Sequence, residues 1–422
     1  MFRQNRIDDA LIYARYIRNA LQGYGLVFNP GEHVNALTSP LYSAATLLVS
    51  WLLFGNVLLA ENVLWVIFFS AAASLAERLA PWSGLVIVSS AFFYYCLGME
   101  TALFLFMLML LATLYLDGQD SWIPLVALLL TLVRLEGAAL VLVVAIQMVR
   151  ERRFPALRSF LLPSLVVGGY LFFNYRYYGG LLPSSGIAKL AQARSGYWGR
   201  WPTAFLRLPA ILFYSFKFTI YLAPLVLILA PLGVWKARTK ALNRILIPFA
   251  VILGLFYVLC NLPNFHWYYA PFIFFGILYA ALGMPQSKTA SAIAAVVVLQ
   301  CVAVSTYKGS KTPVDYPYKQ LGEWLEQNTA KDARVAAMET GAIGWYSNRY
   351  IDDIVGLTTP ANAVYLVHHD LYSWLDQQKP DYVVMHEHPS LGELAAATSP
   401  DYEYLPIRYG SILLMRRRQG AP

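Results

Sequence analysis

Six cations and no acid lie between Arg176 and Phe218. They are Arg176, Lys189, Arg194, Arg200, Arg207 and Lys217, set among Tyr177, Tyr178, Tyr197, Trp198 and Trp201. Guanidinium and ammonium groups are the natural partners of phosphate, so a phosphate held at a membrane surface would account for them. The other reading is an aromatic belt whose cations face lipid headgroups. Two adjacent carboxylates, Asp8 and Asp9, open the chain's first periodic stretch, where either can N-cap a helix. Arg134 and Glu136 interrupt an apolar run and can pair with each other. His368, His369, His386 and His388 invite a metal reading, but no tetrahedral ligand spacing accompanies them. Surface or core histidines are the expectation. Cys96, Cys260 and Cys301 lie in or beside apolar runs and imply neither a disulfide framework nor a metal site.

The elements that must position these groups follow from hydropathy. In Asp8–Tyr42, the residues Ala10, Tyr13, Ala14, Ile17, Ala20, Leu21 and Tyr24 recur at helical spacing, with Arg15, Arg18, Asn19 and Gln22 opposite. The pattern predicts an amphipathic helix suited to a membrane surface. Gly23 and Gly25 end it, Asn29-Pro30-Gly31 turns, and Pro40 fits the first turn of a second helix. Apolar runs follow at 41–59, 62–77, 82–98, 101–116, 121–134, 136–149, 157–175, 219–236, 243–261, 266–283 and 289–306. Most approach the roughly 17–25 residues that span a bilayer. The run at 41–59 reads either as a span or as a helix lying on the surface. Residues 121–149 read as two short helices meeting at Arg134-Leu135-Glu136-Gly137, because a single helix would bury both charges mid-membrane.

Charged residues make up 13% of the 422, against roughly 25% in soluble domains, so the chain is a polytopic membrane protein. The net charge of +8 is scattered between apolar runs, which argues against nucleic acid as a partner. Met1–Ile7 is too short for the apolar core of a signal peptide. Clusters at Arg150, Arg152, Arg153 and Arg158 and at Lys236, Arg238, Lys240 and Arg244, with Lys288, mark the cytoplasmic side consistently. The loop 176–218 and everything after 306 then lie outside. Leu116–Trp122, with Asp117 and Asp120, fits the cytoplasm poorly. Beyond 306 charge returns. Strands are predicted at Arg334–Met338, Tyr382–Met385, Tyr402–Ile407 and Ile412–Met415, and helices at Tyr318–Ala330, 361–378 and 390–397. The expected fold is a polytopic α-helical membrane protein of about ten spans plus juxtamembrane helices, with a small C-terminal α/β extracytoplasmic domain. Its segments are 1–60, outer and juxtamembrane; 61–306, the helical core with the 176–218 loop; and 307–422, the α/β domain.

Several motifs, taken in order, resemble the GT-C glycosyltransferases, in particular the bacterial arabinofuranosyltransferase-like branch. The first outer loop carries Asp8-Asp9-Ala10, Arg15-Tyr16, Gly25-Leu26-Val27-Phe28-Asn29-Pro30-Gly31-Glu32 and Thr38-Ser39-Pro40. Gly98-Met99-Glu100-Thr101 resembles the branch's Gly-x-Glu-Thr. Arg134-Leu135-Glu136-Gly137 resembles its Arg-Pro-Glu-Gly, with leucine for proline. Tyr177-Tyr178-Gly179, Leu182-Pro183 and Ala188-Lys189 follow, with Ser184 where asparagine is usual. His266-Trp267-Tyr268-Tyr269 and Glu339-Thr340-Gly341-Ala342-Ile343-Gly344 complete the series.

The resemblance implies sugar transfer from a polyprenyl-phosphate donor to a glycan, lipid or protein acceptor, outside the bacterial plasma (inner) membrane. It favours the surface reading of 41–59. It also makes Asp8 or Asp9 the candidate base, with the other orienting the acceptor or holding a divalent cation such as Mg or Mn. Lys189, with Arg176 or Arg194, becomes the candidate partner of the leaving phosphate. Glu100, Arg134, Glu136 and His266 become candidate substrate-positioning groups. The family carries a transmembrane helix ahead of its aspartates, whereas seven residues precede Asp8 here, two of them Arg3 and Arg6. The expectation is a chain truncated at its start, one whose start is misplaced, or one that lacks that helix. The competing readings are a lipid-linked sugar flippase, which would favour a midplane site between broken helices, and a non-catalytic scaffold.

Overall fold

The computed structural model describes residues 6–181, 183–202, 205–206, 222–310 and 316–420. Arg207 and Lys217 of the cationic loop, Leu182 of the motif series, and Arg3 lie outside the described residues.

Helix α1 (Asp8–Leu21) begins after Ile7, which makes no side-chain cap, so the aspartates fill the first turn instead of capping it. Their charge there, and Arg18 in the last turn, complement the helix dipole. The predicted amphipathic surface helix is in fact enclosed on nearly every side, Arg15 and Asn19 included. Its polar face meets protein, not headgroups. Arg15 donates to the Phe28 carbonyl at 2.8 Å, to Asn29 Oδ1 at 3.2 Å and to the Arg349 carbonyl at 2.6 Å.

Helix α2 (Pro40–Leu52) begins at its proline. Thirteen residues span about 20 Å, too short for a hydrocarbon core of ~30 Å. It buries Tyr42, Ser43, Thr46 and Ser50, and exposes Leu48, Trp51 and Leu52. A helix with its hydroxyls inward and leucines outward suits a lipid boundary, in line with the surface reading. Helix α3 (Val57–Leu79) follows, its first turn capped by Asn56.

Among the described residues, Val57–Leu79, Leu157–Tyr178, Ala241–Leu259 and Lys288–Tyr307 are long and apolar enough to cross a membrane. That is four, against the ten or so expected. The other apolar runs break into shorter helices. The run at 82–98 divides at Ser90 into α4 (Ser83–Ser89) and α5 (Ala91–Tyr94). Helix α6 (Thr101–Leu116) has sixteen residues. The run at 121–149 divides as predicted: Arg134 is extended, and a 3-10 turn at Leu135–Gly137 separates α7 (Ile123–Val133) from α8 (Ala138–Arg150).

The acids of Leu116–Trp122 find their account in ion pairs. Asp117 pairs with Arg78 at 2.8 Å, and Asp120 accepts from Arg153 at 3.1 Å. Arg153 also meets Glu151, which lies near Arg244. These acids neutralise Arg78 and Arg153, and this charged layer closes one end of the bundle.

Helix α9 (Leu161–Tyr178) ends at Gly179, which takes the left-handed conformation. The central loop then forms α10 (Ser185–Ser195), anchored to the first loop by Ser184 Oγ donating to the Asn35 carbonyl at 2.8 Å. Helices α11 (Leu222–Lys236), α12 (Ala241–Leu259), α13 (Ala270–Gly283) and α14 (Lys288–Ser310) complete the bundle. Gly233 and Gly283 let α11 and α13 touch backbone to backbone.

The C-terminal part starts with α15 (Pro317–Asn328) and holds a five-stranded sheet of order β2-β1-β3-β5-β4. The strands are β1 (Arg334–Ala337), β2 (Tyr350–Asp353), β3 (Tyr382–His386), β4 (Tyr402–Tyr409) and β5 (Ile412–Arg417). The first three pair in parallel; β5 runs antiparallel to both β3 and β4. Helix α16 (Thr340–Ser347) joins β1 to β2. The predicted helix at 361–378 is two, α17 (Asn362–His368) and α18 (Leu371–Gln378), because His369 turns left-handed and Asp370 caps the second. Helix α19 (Gly392–Thr398) follows β3.

Candidate active site

Adjacent residues of a helix point about 100° apart, and Asp8 and Asp9 accordingly face different neighbours. Asp8 Oδ1 accepts the Ala342 N–H at 2.7 Å, in the first turn of α16. Desolvation, then the negative charge of Asp9, pushes the Asp8 carboxyl well above the usual carboxylate range. Glu339 adds to the rise, and the Ala342 and Gly341 amides oppose it. Asp9 faces Lys189, whose Nζ lies 3.9 Å from Asp9 Oδ2 and 4.7 Å from the centre of the Phe265 ring. Both side chains keep partial access to solvent.

Beside them lies a buried charge ladder. Arg134 binds Glu100 at 2.9 Å through Nη1 and Glu136 at 2.8 Å through Nη2. The Arg134–Glu136 pairing anticipated from sequence exists, and Glu100 joins it. Arg134 sits 5.3 Å from the Tyr268 ring centre and 5.5 Å from that of Phe104. Glu100 Oε2 and Arg134 Nε remain without hydrogen-bond partners. The buried Tyr268 hydroxyl feels the charges of Arg134, Glu136, Asp9 and Glu100, which places these groups in one neighbourhood. Tyr13 also feels Glu100 and Arg134, and its hydroxyl meets Thr38 Oγ1 at 2.6 Å. The local reason is the break at Arg134: the extended residue turns its side chain inward while Leu135 points out.

The remaining candidates stand elsewhere. His266 Nε2 lies 3.4 Å from the Tyr95 carbonyl, and its ring packs on Trp267. Arg176 is exposed in the last turn of α9. Arg194 lines an open cleft of about 540 Å³ with Leu190, Arg200, Trp201, Leu259 and Asn261. Sequence reasoning passed over Tyr13, Phe265 and Tyr268. Only the aromatic density around His266 marked that stretch, and it drew attention to the histidine instead.

A second cluster sits at the end of β3. His386 Nδ1 meets the fully buried Glu393 at 2.6 Å, and its Nε2 meets Glu339 at 3.4 Å and Tyr318 at 2.8 Å. The two carboxylates push the imidazole up to about 10. Among the described residues, no three His, Cys, Asp or Glu side chains converge as a metal site would require.

The fold is that of GT-C glycosyltransferases. The chain is similar to ArnT from Cupriavidus metallidurans in the apo state, with TM-score 0.58 and 12% identity, over 96% of this chain and 92% of that one. It is similar to the same protein bound to undecaprenyl phosphate, with TM-score 0.60 and 12% identity, over 98% and 94%. For the mycobacterial arabinofuranosyltransferase AftD the TM-score is 0.45 at 13% identity, over 98% of this chain and 38% of that chain. A family model described as a domain of unknown function, DUF8728, matches residues 307–419, the stretch that holds the sheet. No curated protein matches the chain.

Proposed function

We propose that the chain is a membrane glycosyltransferase that moves a sugar from a polyprenyl-phosphate donor to a cell-envelope glycan, lipid or protein. The observation that carries this reading is the Asp9–Lys189 juxtaposition: a carboxylate and an ammonium 3.9 Å apart, both reachable from solvent. The acceptor hydroxyl attacks the anomeric carbon and gives its proton to Asp9, as the sugar–phosphate C–O bond breaks. The bond's electron pair leaves with the phosphate, whose growing charge Lys189 stabilises. The Glu100–Arg134–Glu136 ladder, with its unpartnered Glu100 oxygen and the Tyr268 wall, suits sugar hydroxyls. Asp8, engaged by the α16 amide, holds the helix in place. Arg194 and its cleft suit the donor beyond the phosphate.

Asp8 and Asp9 do not fit a shared divalent cation, because Ala342 occupies one and an ammonium opposes the other. The reading places the ladder and the sheet outside, opposite the Arg78–Arg153 layer. It takes arabinofuranose, from the motif resemblance, as the first donor to try.

The test measures polyprenyl phosphate released from a panel of polyprenyl-phosphate sugars with envelope acceptors. At equal folded amounts, Asp9→Asn is expected to lose about 10²- to 10⁴-fold in turnover, and Asp8→Asn much less. Equal release by all three proteins removes the aspartates from the mechanism. No acceptor-dependent release from any donor overturns the transferase.

A further inference from the structure

Arg6 stands two residues before the aspartates and takes no part in the chemistry above. It is 4% exposed, and Glu61, at the start of α3, is fully buried. Arg6 Nε donates to Glu61 Oε2 at 2.8 Å. Its Nη2 donates to Asn62 Oδ1 at 2.8 Å and to the Leu58 carbonyl at 3.0 Å. Gly98 presses on the same side chain from another element. Its φ is +90°, and a Cβ there would lie 2.7 Å from Arg6 Cδ and 2.9 Å from Ala10 Cβ. One guanidinium thus ties together the start of α1, the first two turns of α3 and the Gly98-Met99-Glu100 turn.

This pair is a poor device for stability. Desolvating two charges costs several kcal/mol per ion, and a hydrophobic pair of the same volume often does as well. Arg6 Nη1 and Glu61 Oε1 also remain without partners. What the pair does supply is geometry. Asp9 lies three residues along from Arg6, and Glu100 lies two residues along from Gly98. Tyr42, edge-on to Tyr13 at 5.4 Å, feels the charges of Glu61, Arg6 and Glu100 and fills the space between the pair and the ladder.

We propose that the Arg6–Glu61 pair, seated against Gly98, is a positioning clamp that sets Asp9 against Glu100 and Lys189. The proposal rests on Asp9 being the base. Glu61→Gln keeps the shape and removes the charge. Turnover is expected to fall about 10- to 100-fold, the scale of a displaced reacting group, while KM for the donor stays within about twofold. Gly98→Ala, which pushes on Arg6, should act in the same direction.

A second readout needs no reaction. With Cys96, Cys260 and Cys301 replaced by alanine, Asp9→Cys and Lys189→Cys are joined by a short bifunctional thiol reagent. Adding Glu61→Gln should slow cross-linking by about tenfold, as expected if the two positions separate. Unchanged cross-linking overturns the clamp, whether turnover falls or not. A wild type that transfers no sugar defeats the proposed function, while cross-linking still judges the clamp. Should Glu61→Gln not fold, Asn62→Ala removes one bond of the same guanidinium. Cross-linking at the parent rate in that variant overturns the proposal, and slowed cross-linking supports it.

Discussion

Asp9 and Lys189 are opposed at 3.9 Å without the close geometry of a tight ion pair, and both are partly exposed. Each is therefore available to a third party, and their effects on a bound phosphate should have opposite signs. Lys189→Met keeps the stem against Phe265 and removes the charge. A hydrogen bond to a charged group is worth about 1.5–3 kcal/mol, so polyprenyl phosphate should bind about 10- to 100-fold more weakly. Asp9→Asn removes the carboxylate that competes for Lys189, so the same ligand should bind more tightly even as turnover drops. Binding of polyprenyl phosphate to both variants in lipid nanodiscs checks this. A loss of affinity in Asp9→Asn would mean that the phosphate sits elsewhere. Arg134 cannot substitute readily for Lys189, because Glu100 and Glu136 already occupy its terminal nitrogens.

At the scale of elements, the decisive contact is α1 against α16. A Cβ on Gly341 would overlap the Asp8 carbonyl and come within 2.9 Å of the Ile12 nitrogen, both backbone atoms that cannot swing aside. Gly344 likewise makes room for Arg15 and for Phe28, whose Cζ would lie 2.9 Å from a Cβ. Gly341→Ala should therefore cost about 1–3 kcal/mol by overpacking and loosen the sheet domain from α1. Faster proteolytic release of the C-terminal part would show it; an unchanged cleavage rate would deny that the contact is tight. This helix was also the least legible element. Eight residues with two glycines carry little helical propensity, and those glycines serve a close approach visible only in three dimensions. Strand β2 escaped notice for a similar reason. Tyr-Ile-Asp-Asp does not look like a strand, but Asp352 is taken by Arg334 of the neighbouring strand at 3.0 Å and Asp353 by the Val355 and Thr358 amides at 2.9 and 2.7 Å. By contrast, the strands expected at Tyr382–Met385 and Ile412–Met415 follow from β-branched and apolar runs alone, and in the structure they extend to His386 and Arg417. The break at Arg134 was legible because two charges in a membrane run allow few other answers. The enclosure of α1 was not, because its periodicity shows a polar face without saying what covers it.

The whole molecule places one charged layer at each end of the helical bundle. Along helix α3, the Arg6–Glu61 pair lies about 26 Å, at ~1.5 Å per residue, from Arg78, which holds Asp117. Helix α6 likewise joins Glu100 to Asp117. The sheet domain docks on the first of these layers through α1, and two titrating groups lie at that junction. Asp8 has its carboxyl raised above its unfolded value, so the folded state binds a proton there more readily than the unfolded chain. Stability then falls as pH rises through that raised value. His386 is raised to about 10 by Glu339 and Glu393, so its contribution is complete below the unfolded value of about 6.5 and is lost as pH rises through about 10. Both effects have the same sign. Between neutral pH and about 10, the sheet domain should lose amide-exchange protection and the protein should melt at progressively lower temperature. Asp8→Asn keeps an oxygen for the Ala342 amide and removes the charge, so it should flatten the fall that begins above the ordinary carboxylate value of 3.8. His386→Gln should lower stability at neutral pH and flatten the upper part. A protection profile that stays level or rises over this range would show that His386 is not coupled to docking. Flattening by His386→Gln alone would confine the pH response to the sheet domain and leave Asp8 a passive acceptor for the α16 amide.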